Sequence, residues 1–256
     1  AYLEDTGGSN AGSAYIFYKS GTTWSQQAQI QASDRQAEDR FGVAVSISGD
    51  YIVVGASGED AGGADAGSAY VFVRSGTTWS QQAILRASDA QASDNYAGYD
   101  PAVSISGNRV VVGAFGEDAG GSNAGAAYIF ERSGTVWTEV KKITASDAQA
   151  SDLFGQTVAI DGTTVLVGAR EEDTKATAAG AAYVYEKGPV GPNITYDNYN
   201  KITLNQLNYE DTATVTDPNG STHDIGTAKT MYVKDIGDYV FKISGTDKYA
   251  ESNVYV

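Results

Sequence analysis

The sequence predicts an all-β protein whose first 188 residues form four-stranded blades of the β-propeller type. The phrase Ala-Gly-x-Ala-Tyr-[Ile/Val]-[Phe/Tyr] recurs with a period of about 55 residues, and a Val-Gly-Ala ending to an apolar run recurs with it. The 30 glycines and four prolines are typical of short strands joined by tight turns. A period of this length, composed of several strands, indicates stacked repeat units and not a single catalytic domain.

The second repeat shows how each blade is assembled. Its first two strands, Ser68–Arg74 and Trp79–Arg86, are joined by a glycine turn and predict a hairpin. Ala102–Ser106 alternates apolar and polar residues as a third strand. Arg109–Gly113 is an apolar run that suits a buried fourth strand. We expect this apolar, small-ended strand to be the innermost one of the blade, lining the propeller axis.

We divide the chain into a repeat region, residues 1–188, and a second domain, residues 189–256. The repeat region contains whole units at about 11–65, 66–123 and 124–178, and partial units at 1–10 and 179–188. Closed propellers need about 4–8 blades, so three units leave end faces uncovered. We expect either further blades upstream in a longer polypeptide or contacts between copies, with Ala1–Asp5 and Ala181–Glu186 as complementary pieces of one blade.

Two aromatic-glycine pairs carry a resemblance to a known family. Phe41-Gly42 and Phe154-Gly155, each followed about a dozen residues later by Val-Gly-Ala, resemble the FG-GAP repeat. That repeat builds the propeller of integrin α-subunits and of many bacterial surface proteins. The second unit departs from it, with Tyr96-Ala97 in place of Phe-Gly. The resemblance covers residues 1 to about 188 and implies an extracellular or cell-surface location.

The segment after the repeats has its own signature. Asp235-Ile-Gly-Asp-Tyr239 resembles the Asp-x-Gly-x-Tyr turn of immunoglobulin-like sandwiches, in which the tyrosine hydroxyl bonds to upstream backbone. The resemblance implies that residues 189–256 form a small immunoglobulin-like β-sandwich with Tyr239 at its corner. A generic β-sandwich with the same turn is the alternative.

Composition excludes several classes of function. The net charge of −15 argues against nucleic acid or an anionic membrane as a partner. No cysteine is present, which excludes disulfides and thiol catalysis, and no apolar run has the length of a membrane span. The single histidine, His223, has no Ser-His-Asp set or metal-type cluster around it in sequence. We therefore predict no catalytic residue and no enzyme activity.

Acidic residues recur in the glycine-rich loop between units and are the candidate metal ligands. Calcium takes six to eight oxygens, which flexible acidic loops supply, and is the one cofactor that we consider. Against it, no stretch matches the Asp-x-[Asp/Asn]-x-[Asp/Asn]-Gly-x-x-Asp motif of integrin propellers, and loop carboxylates also cap turns. The candidate ligands are Glu59, Asp60, Asp65, Glu117, Asp118, Glu171 and Asp173.

Three tryptophans and two asparagines complete the candidate residues. Trp24, Trp79 and Trp137 occur once per unit, so we expect them to pack between adjacent units; exposed indoles would instead be platforms for sugar stacking. Asn193 and Asn219 begin N-glycosylation triplets, which matter only in a secreted eukaryotic protein.

These observations favour a non-catalytic extracellular structural or adhesion protein. It would be a piece of a larger modular surface protein, or a filament subunit assembled through blade faces and strand edges. Its expected partners are copies of itself or flanking modules, and further candidates are glycans and cell-surface proteins. The alternative function is a carbohydrate- or ligand-binding propeller, and a less favoured one is a glycosidase or lyase on a propeller scaffold.

Overall fold

The computed structural model describes residues 1–98, 101–172 and 179–186 in full and, beyond them, the backbone of seven strands between 193 and 255. The chain divides into two compact units, Ala1–Glu186 and Lys187–Val256. Every helix or strand assigned in the described residues is a β-strand, so the all-β prediction is confirmed.

The described residues of the first unit form thirteen strands in four antiparallel sheets. The first hairpin pairs β1 with β2, sheet I has the order β3-β4-β5-β6, sheet II β7-β8-β9-β10, and sheet III β11-β12-β13. The strands are β1 (Ala14–Ser20), β2 (Thr23–Ile30), β3 (Val45–Ser48), β4 (Tyr51–Ala56), β5 (Ser68–Ser75), β6 (Thr78–Leu85), β7 (Val103–Ser106), β8 (Arg109–Ala114), β9 (Ala126–Ser133), β10 (Val136–Ile143), β11 (Phe154–Asp161), β12 (Thr164–Ala169) and β13 (Ala181–Glu186).

The sheets are offset from the sequence repeats by one hairpin. In the structure, sheet I joins hairpin 45–56 to hairpin 68–85. The sequence repeat 66–123 instead placed 68–86 in one unit with 102–114. The reason is that the glycine-rich loop 57–67 returns the chain beside β4, with Gly55 opposite Ala69. The longer segment after β6 carries the chain to the next sheet. The repeat bounds at 11, 66 and 124 are thus periods of the sequence and not edges of sheets.

Successive sheets stack on one another, and their first strands lie closest together. The Ser46 Oγ accepts a hydrogen bond from the Ile105 N–H at 3.2 Å, and the Ser104 Oγ accepts one from the Ile160 N–H at 3.1 Å. These bonds link β3 to β7 and β7 to β11, while the outer strands β2, β6 and β10 approach one another much less. This places the first strand of each sheet innermost.

The expectation that Arg109–Gly113 is the innermost strand is therefore wrong. That run is β8, the second strand of sheet II, and every residue from Val110 to Ala114 is buried. Its apolar character arises because sheets I and III cover its two faces, so both alternating rows of side chains are in the core.

Each junction between sheets is filled by an aromatic pair. Phe41 of sheet I meets Tyr70 edge to face with ring centroids 5.5 Å apart. Tyr96 and Tyr128 are 5.6 Å apart at the next junction. All four of these rings are fully buried. Edge-to-face pairs of this kind contribute about 0.5–1.5 kcal/mol beyond the area that they bury, so each pair stabilises its junction.

The second unit contains two antiparallel sheets, of order β14-β15-β18 and β17-β16-β19-β20. His223 lies in strand β17 and not in a loop. The immunoglobulin-like assignment stays a prediction, because Tyr239 is in β19 but its side chain is outside the described residues. The strands are β14 (Asn193–Tyr196), β15 (Lys201–Asn205), β16 (Thr212–Thr216), β17 (Thr222–Gly226), β18 (Thr230–Tyr232), β19 (Asp238–Ser244) and β20 (Ala250–Tyr255).

Candidate functional site

The aromatic-glycine pairs and the Ala-Gly phrases form one repeated contact, which we call the clasp. In each clasp the backbone N–H of the aromatic residue donates to the carbonyl of the alanine in the preceding sheet or hairpin. The three bonds are Phe41 to Ala11 at 3.0 Å, Tyr96 to Ala66 at 3.0 Å and Phe154 to Ala124 at 2.9 Å. The residues that carry the resemblance thus join adjacent sheets through backbone hydrogen bonds.

The clasp requires glycine on its receiving side. Gly12 and Gly67 have φ of +88° and +86°, a region that other residues adopt only with strain. A Cβ on Gly12 would also lie 2.1 Å from the Phe41 carbonyl oxygen, and one on Gly67 would lie 2.2 Å from that of Tyr96. Backbone therefore approaches backbone more closely than any side chain would permit.

The glycine of Val-Gly-Ala serves the same junction from β4 and β8. A Cβ on Gly55 would lie 2.5 Å from the Ala97 carbonyl oxygen, and one on Gly113 would lie 1.7 Å from that of Gly155. These glycines admit the backbone of the next sheet, which explains why they recur with the repeat.

The candidate metal ligand Glu59 is buried, and its carboxylate is bound by protein groups. It accepts hydrogen bonds from the Ser68 Oγ at 2.6 Å, the Arg86 Nη2 at 3.0 Å and the Ala61 N–H at 3.2 Å. Burial alone would raise the pKa of Glu59, but the hydrogen bonds from Arg86 and Ser68 outweigh it and the pKa is lowered.

Glu117 has the equivalent position at the next junction and is 3% exposed. Its carboxylate accepts from the Lys142 Nζ at 2.8 Å and from the Ala119 N–H at 3.1 Å. Arg86 follows the last residue of β6, whereas Lys142 precedes the last residue of β10. Each buried glutamate is thus neutralised by a cation from the outer strand of its own sheet, although from different positions.

The aspartates that follow these glutamates close turns. The Asp60 Oδ1 accepts from the Asp65 N–H at 2.8 Å, and the Asp118 Oδ1 accepts from the Asn123 N–H at 2.7 Å. Asp65 also lies 3.6 Å from the Arg40 guanidinium across the junction. Such side-chain-to-backbone bonds are the usual role of aspartate in a loop.

In the last sheet the buried glutamate is Glu172 and not the predicted Glu171. Glu172 is 5% exposed, and its carbonyl accepts from the Gly180 N–H at 2.9 Å, as that of Glu59 does from Gly67. Glu171 instead pairs with Arg170. Counting from the glycine of Val-Gly-Ala would have identified Glu172. In all three sheets the buried glutamate is the fourth residue after that glycine. The remaining candidate, Asp173, lies outside the described residues.

The donors at these positions do not fit a calcium site. In the fully described ranges, no group of three or more carboxylates or histidines is placed to hold a metal ion. The Glu59 and Glu117 oxygens already face Arg86 and Lys142, whose positive charges oppose a cation. Calcium binding stays a prediction of the sequence, and we derive nothing from it.

A second set of buried carboxylates caps the loops that lead to the clasps. The Asp39 Oδ2 accepts from the Gln36 N–H at 2.6 Å, and the Asp94 Oδ2 accepts from the Gln91 N–H at 2.7 Å. Burial raises the pKa of Asp39 to about 6 and also raises that of Asp94. Their ionised forms are therefore held at a cost in stability.

Two tryptophans connect outer strands of successive sheets. The Trp79 Nε1 donates to the Gln27 Oε1 at 2.9 Å, and the Trp137 Nε1 donates to the Gln82 Oε1 at 2.9 Å. Both indoles are half-buried. Trp24, on the first hairpin, is 64% exposed. The repeated tryptophan therefore contacts the neighbouring sheet inside the stack and is exposed on the first hairpin.

The inner strand of sheet I presents an open face. Val45 and Ile47 of β3 are 58% and 61% exposed, whereas the equivalent Val103 and Ile105 of β7 are 2% and 5% exposed because sheet I covers them. Phe17 of the first hairpin is likewise 54% exposed. We call these residues the N-face.

Sheet III presents the opposite open face. Leu166 and Val184 are 44% and 63% exposed, although the equivalent Val111 and Ile129 of sheet II are buried against sheet III. We call this surface the C-face. It contains an open depression of about 710 Å³ lined by Gln156, Thr157, Gly168, Ala169, Arg170, Gly180, Ala181 and Ala182.

The predicted glycosylation residues cannot be placed in a site. Asn193 is the first residue of β14, whose side chains are outside the described part of the chain, as is all of Asn219. Among the described residues, no helix has the length and hydropathy needed to cross a membrane.

Comparison with known families gives one result. The sequence model of the FG-GAP repeat matches residues 24–72, 79–130 and 137–185, well over half of the chain. Each match starts at the tryptophan of an outer strand and ends in the third strand of the next sheet, so it contains the aromatic residue of one clasp and the Ala-Gly phrase that belongs to the following one. FG-GAP repeats are typical of extracellular or surface proteins. No curated protein matches the chain significantly.

Proposed function

Because the chain belongs to the FG-GAP repeat family, we propose that it is a non-catalytic structural or adhesion module of an extracellular or surface protein. In this proposal it acts by assembly with copies of itself through its N-face and C-face. The observation that supports it is the contrast within one chain: the residues that join sheets inside the stack are exposed at its two ends.

The apolar area at the end faces is large enough to matter. Complete burial of a valine, leucine or isoleucine contributes about 1.5–3 kcal/mol. Val45, Ile47, Leu166 and Val184 are each about half exposed, so burial of their exposed parts would together supply on the order of 3–7 kcal/mol. Association costs about 4–15 kcal/mol in lost freedom, so these four contacts alone do not offset it. Stable assembly then needs a further contribution, for which strand edges are available.

The non-catalytic assignment is supported by the partners of the buried acids. In glycoside hydrolysis two carboxyl groups must reach the substrate with separate protonation states. Glu59 and Glu117 are instead buried, lie at different junctions and are bound by Arg86 and Lys142. These contacts favour a role in folding and make a glycosidase or lyase the weakest of the candidate functions.

Sedimentation velocity of the 256-residue chain over a range of concentrations tests the proposal. We expect the mean mass to rise with concentration, and Ile47→Asp to suppress that rise by placing a charge on the N-face. Val136→Asp is the matched control, because Val136 is 63% exposed but lies at an outer turn and not on an end face. A monomer at all concentrations, or equal effects of both variants, would contradict the proposal.

One observation favours a second candidate function, the binding of a carbohydrate or other ligand. Trp24, Tyr15, Phe17 and Tyr18 of the first hairpin are 39–64% exposed, and an exposed aromatic patch marks an interaction site. Titration with neutral oligosaccharides, followed by tryptophan fluorescence, tests this candidate. A response that is lost in Trp24→Ala and kept in Trp79→Phe would support it, and no response to any of the sugars would contradict it.

A further inference from the structure

We infer that sheet III of one copy completes the first blade of the next copy by strand exchange. In this exchange β13 takes the place of β1 beside β2, and Ala179-Gly180 replaces Ala11-Gly12 as the receiver of Phe41 of the second copy, a contact that we call the exchanged clasp. The inference rests on the proposed self-assembly and specifies its contact.

The receiving side of this clasp is already formed on sheet III. Ala179-Gly180 repeats the Ala-Gly phrase, and Gly180 has φ of +72°, in the same left-handed region as Gly12. The Gly180 N–H donates to the Glu172 carbonyl at 2.9 Å, as Gly12 donates to Glu4 at 2.9 Å. A clasp receptor with the internal geometry is therefore present, and no aromatic residue among those that the structure describes occupies it.

The depression on the C-face lies where the next sheet would dock. It is lined by Gly168 and Gly180, the equivalents of Gly113 and Gly125. At the junction of sheets II and III, the backbone of Phe154 lies against Gly125 and that of Gly155 lies against Gly113. At Gly180 the nearest atom to an added Cβ is the Arg170 carbonyl oxygen at 3.1 Å. The depression thus has the position that an aromatic-glycine pair fills inside the stack.

The open blades are complementary in their strands. Sheet III has the first three strands of a blade and no fourth among the described residues, and the first hairpin has the last two. Strands β1 and β13 hold the same third position, with Ala14-Tyr15-Ile16-Phe17 matching Ala182-Tyr183-Val184-Tyr185. Pairing β13 with β2 gives a complete blade of order β11-β12-β13-β2.

The exchange conserves the number of strand pairs and covers the apolar residues of the N-face. β2 loses β1 and gains an equivalent strand, so its ladder of hydrogen bonds is replaced one for one, while the displaced β1 gives up its pairing with β2 and the core contacts of Ala14 and Ile16. β1 is the weakly covered strand, with Tyr15 and Phe17 already 39% and 54% exposed. In return, Leu166 would cover Val45 and Ile47 as Val53 covers Val103 and Ile105 in the first core.

The inner strand of sheet III carries a distinctive acceptor for this contact. Inside the stack the Ser48 Oγ accepts from the Gly107 N–H at 3.2 Å, and the Ser106 Oγ accepts from the Gly162 N–H at 3.0 Å. Sheet III has the exposed Asp161 at that position. Its carboxylate would accept from Gly49 of the second copy, and a charged acceptor makes a stronger bond than a hydroxyl.

Gly180→Ala tests the exchanged clasp without removing the rest of the contact. In a single copy its added Cβ is close only to the Arg170 carbonyl oxygen, but in the clasp it would meet Phe41 backbone at about 2 Å, as at Gly12. Gly162→Ala is the matched control, because Gly162 has φ of +55° in the same sheet with nothing within 4 Å of an added Cβ. We expect Gly180→Ala to weaken association at least tenfold relative to Gly162→Ala, with similar unfolding midpoints.

Cross-linking identifies the partner strand, since the chain contains no cysteine. Ile47→Cys combined with Ala159→Cys should form links between chains under mild oxidation. Ser104→Cys combined with Ile160→Cys is the positive control within one chain, because these residues contact each other at the equivalent internal position.

The outcomes separate the two proposals. Association that is lost in Ile47→Asp but unchanged in Gly180→Ala, without 47–159 links, would overturn strand exchange and leave self-assembly intact. A monomer at every concentration would overturn both. Links between residues 47 and 159 of the same chain would show closure within one copy and would also overturn the inference.

Discussion

Replacing Gly67 by alanine should destabilise the first unit far more than the same change at Gly76. Both glycines have positive φ, +86° and +62°, so both variants carry the left-handed strain of about 1–2 kcal/mol. At Gly76, in the hairpin turn between β5 and β6, an added Cβ has nothing within 4 Å. We therefore expect Gly76→Ala to cost only that strain.

At Gly67 the new Cβ would lie 2.2 Å from the Tyr96 carbonyl oxygen and 3.0 Å from the Tyr96 nitrogen. Backbone cannot yield as a flexible side chain does, so the Tyr96 segment must move. That movement breaks the Tyr96 N–H bond to Ala66, worth about 1 kcal/mol, and disturbs the buried Tyr96–Tyr128 pair, worth about 0.5–1.5 kcal/mol. With the strain included, we expect a loss of about 2.5–4.5 kcal/mol.

Urea unfolding of both variants and the wild-type chain, followed by near-ultraviolet circular dichroism, measures the two losses. Near-ultraviolet signals report the packing of Tyr96 and its neighbours as well as global unfolding. Costs that agree within about 0.5 kcal/mol would refute the reasoning, because the clasp would then tolerate a side chain where the structure places backbone.

Three further predictions concern other contacts. Trp79→Phe should cost about 1 kcal/mol through loss of its bond to Gln27, and a double-mutant cycle with Gln27→Ala should give a coupling of similar size; additive losses would refute the contact. Burial raises the pKa of Asp39 to about 6, against about 3.9 in the unfolded chain. The free energy of unfolding therefore falls as the pH rises from about 4 to 6, because the buried carboxyl group must then ionise. Asp39→Asn should therefore gain about 1–3 kcal/mol relative to wild type between pH 4 and pH 7, and a pH-independent difference in urea unfolding would count against this. Tyr239→Phe should lower the stability of the second unit by about 1 kcal/mol if the tyrosine corner exists, and an unchanged unfolding midpoint would remove that assignment.

Strand positions were predictable because they depend on local chemistry. The hairpin 68–86 was read from its glycine turn and aromatic residues, and the structure has β5 and β6 there. The grouping of hairpins into sheets was not predictable from the period, since a repeat can be divided at any phase. Which hairpins pair is decided by the path of two loops, the short 57–67 and the longer one after β6.

The candidate acidic site illustrates a second limit. Glu59 and Glu117 recur at one position of the sequence repeat, and both carboxylates are buried in the structure. Recurrence could not identify their partners, because Arg86 and Lys142 come from different positions on their strands. A cation that reaches a fixed carboxylate through a long, flexible side chain has no fixed spacing in sequence.

The absence of a conventional site motif follows from how a repeat stack works. Each blade must match both neighbours, so the residues that join blades inside the chain are the same residues that its two ends expose. The proposed self-assembly needs no additional recognition motif, and no search for catalytic or metal-binding spacing would reveal it. What distinguishes an end from an internal junction is a departure from the repeat, as where Asp161 stands in the place of Ser48 and Ser106. If the C-face contacts Gly49 of another copy, Asp161→Ser should weaken association while leaving the internal junctions unchanged, and an unchanged mass distribution in sedimentation would show that this departure has no part in assembly.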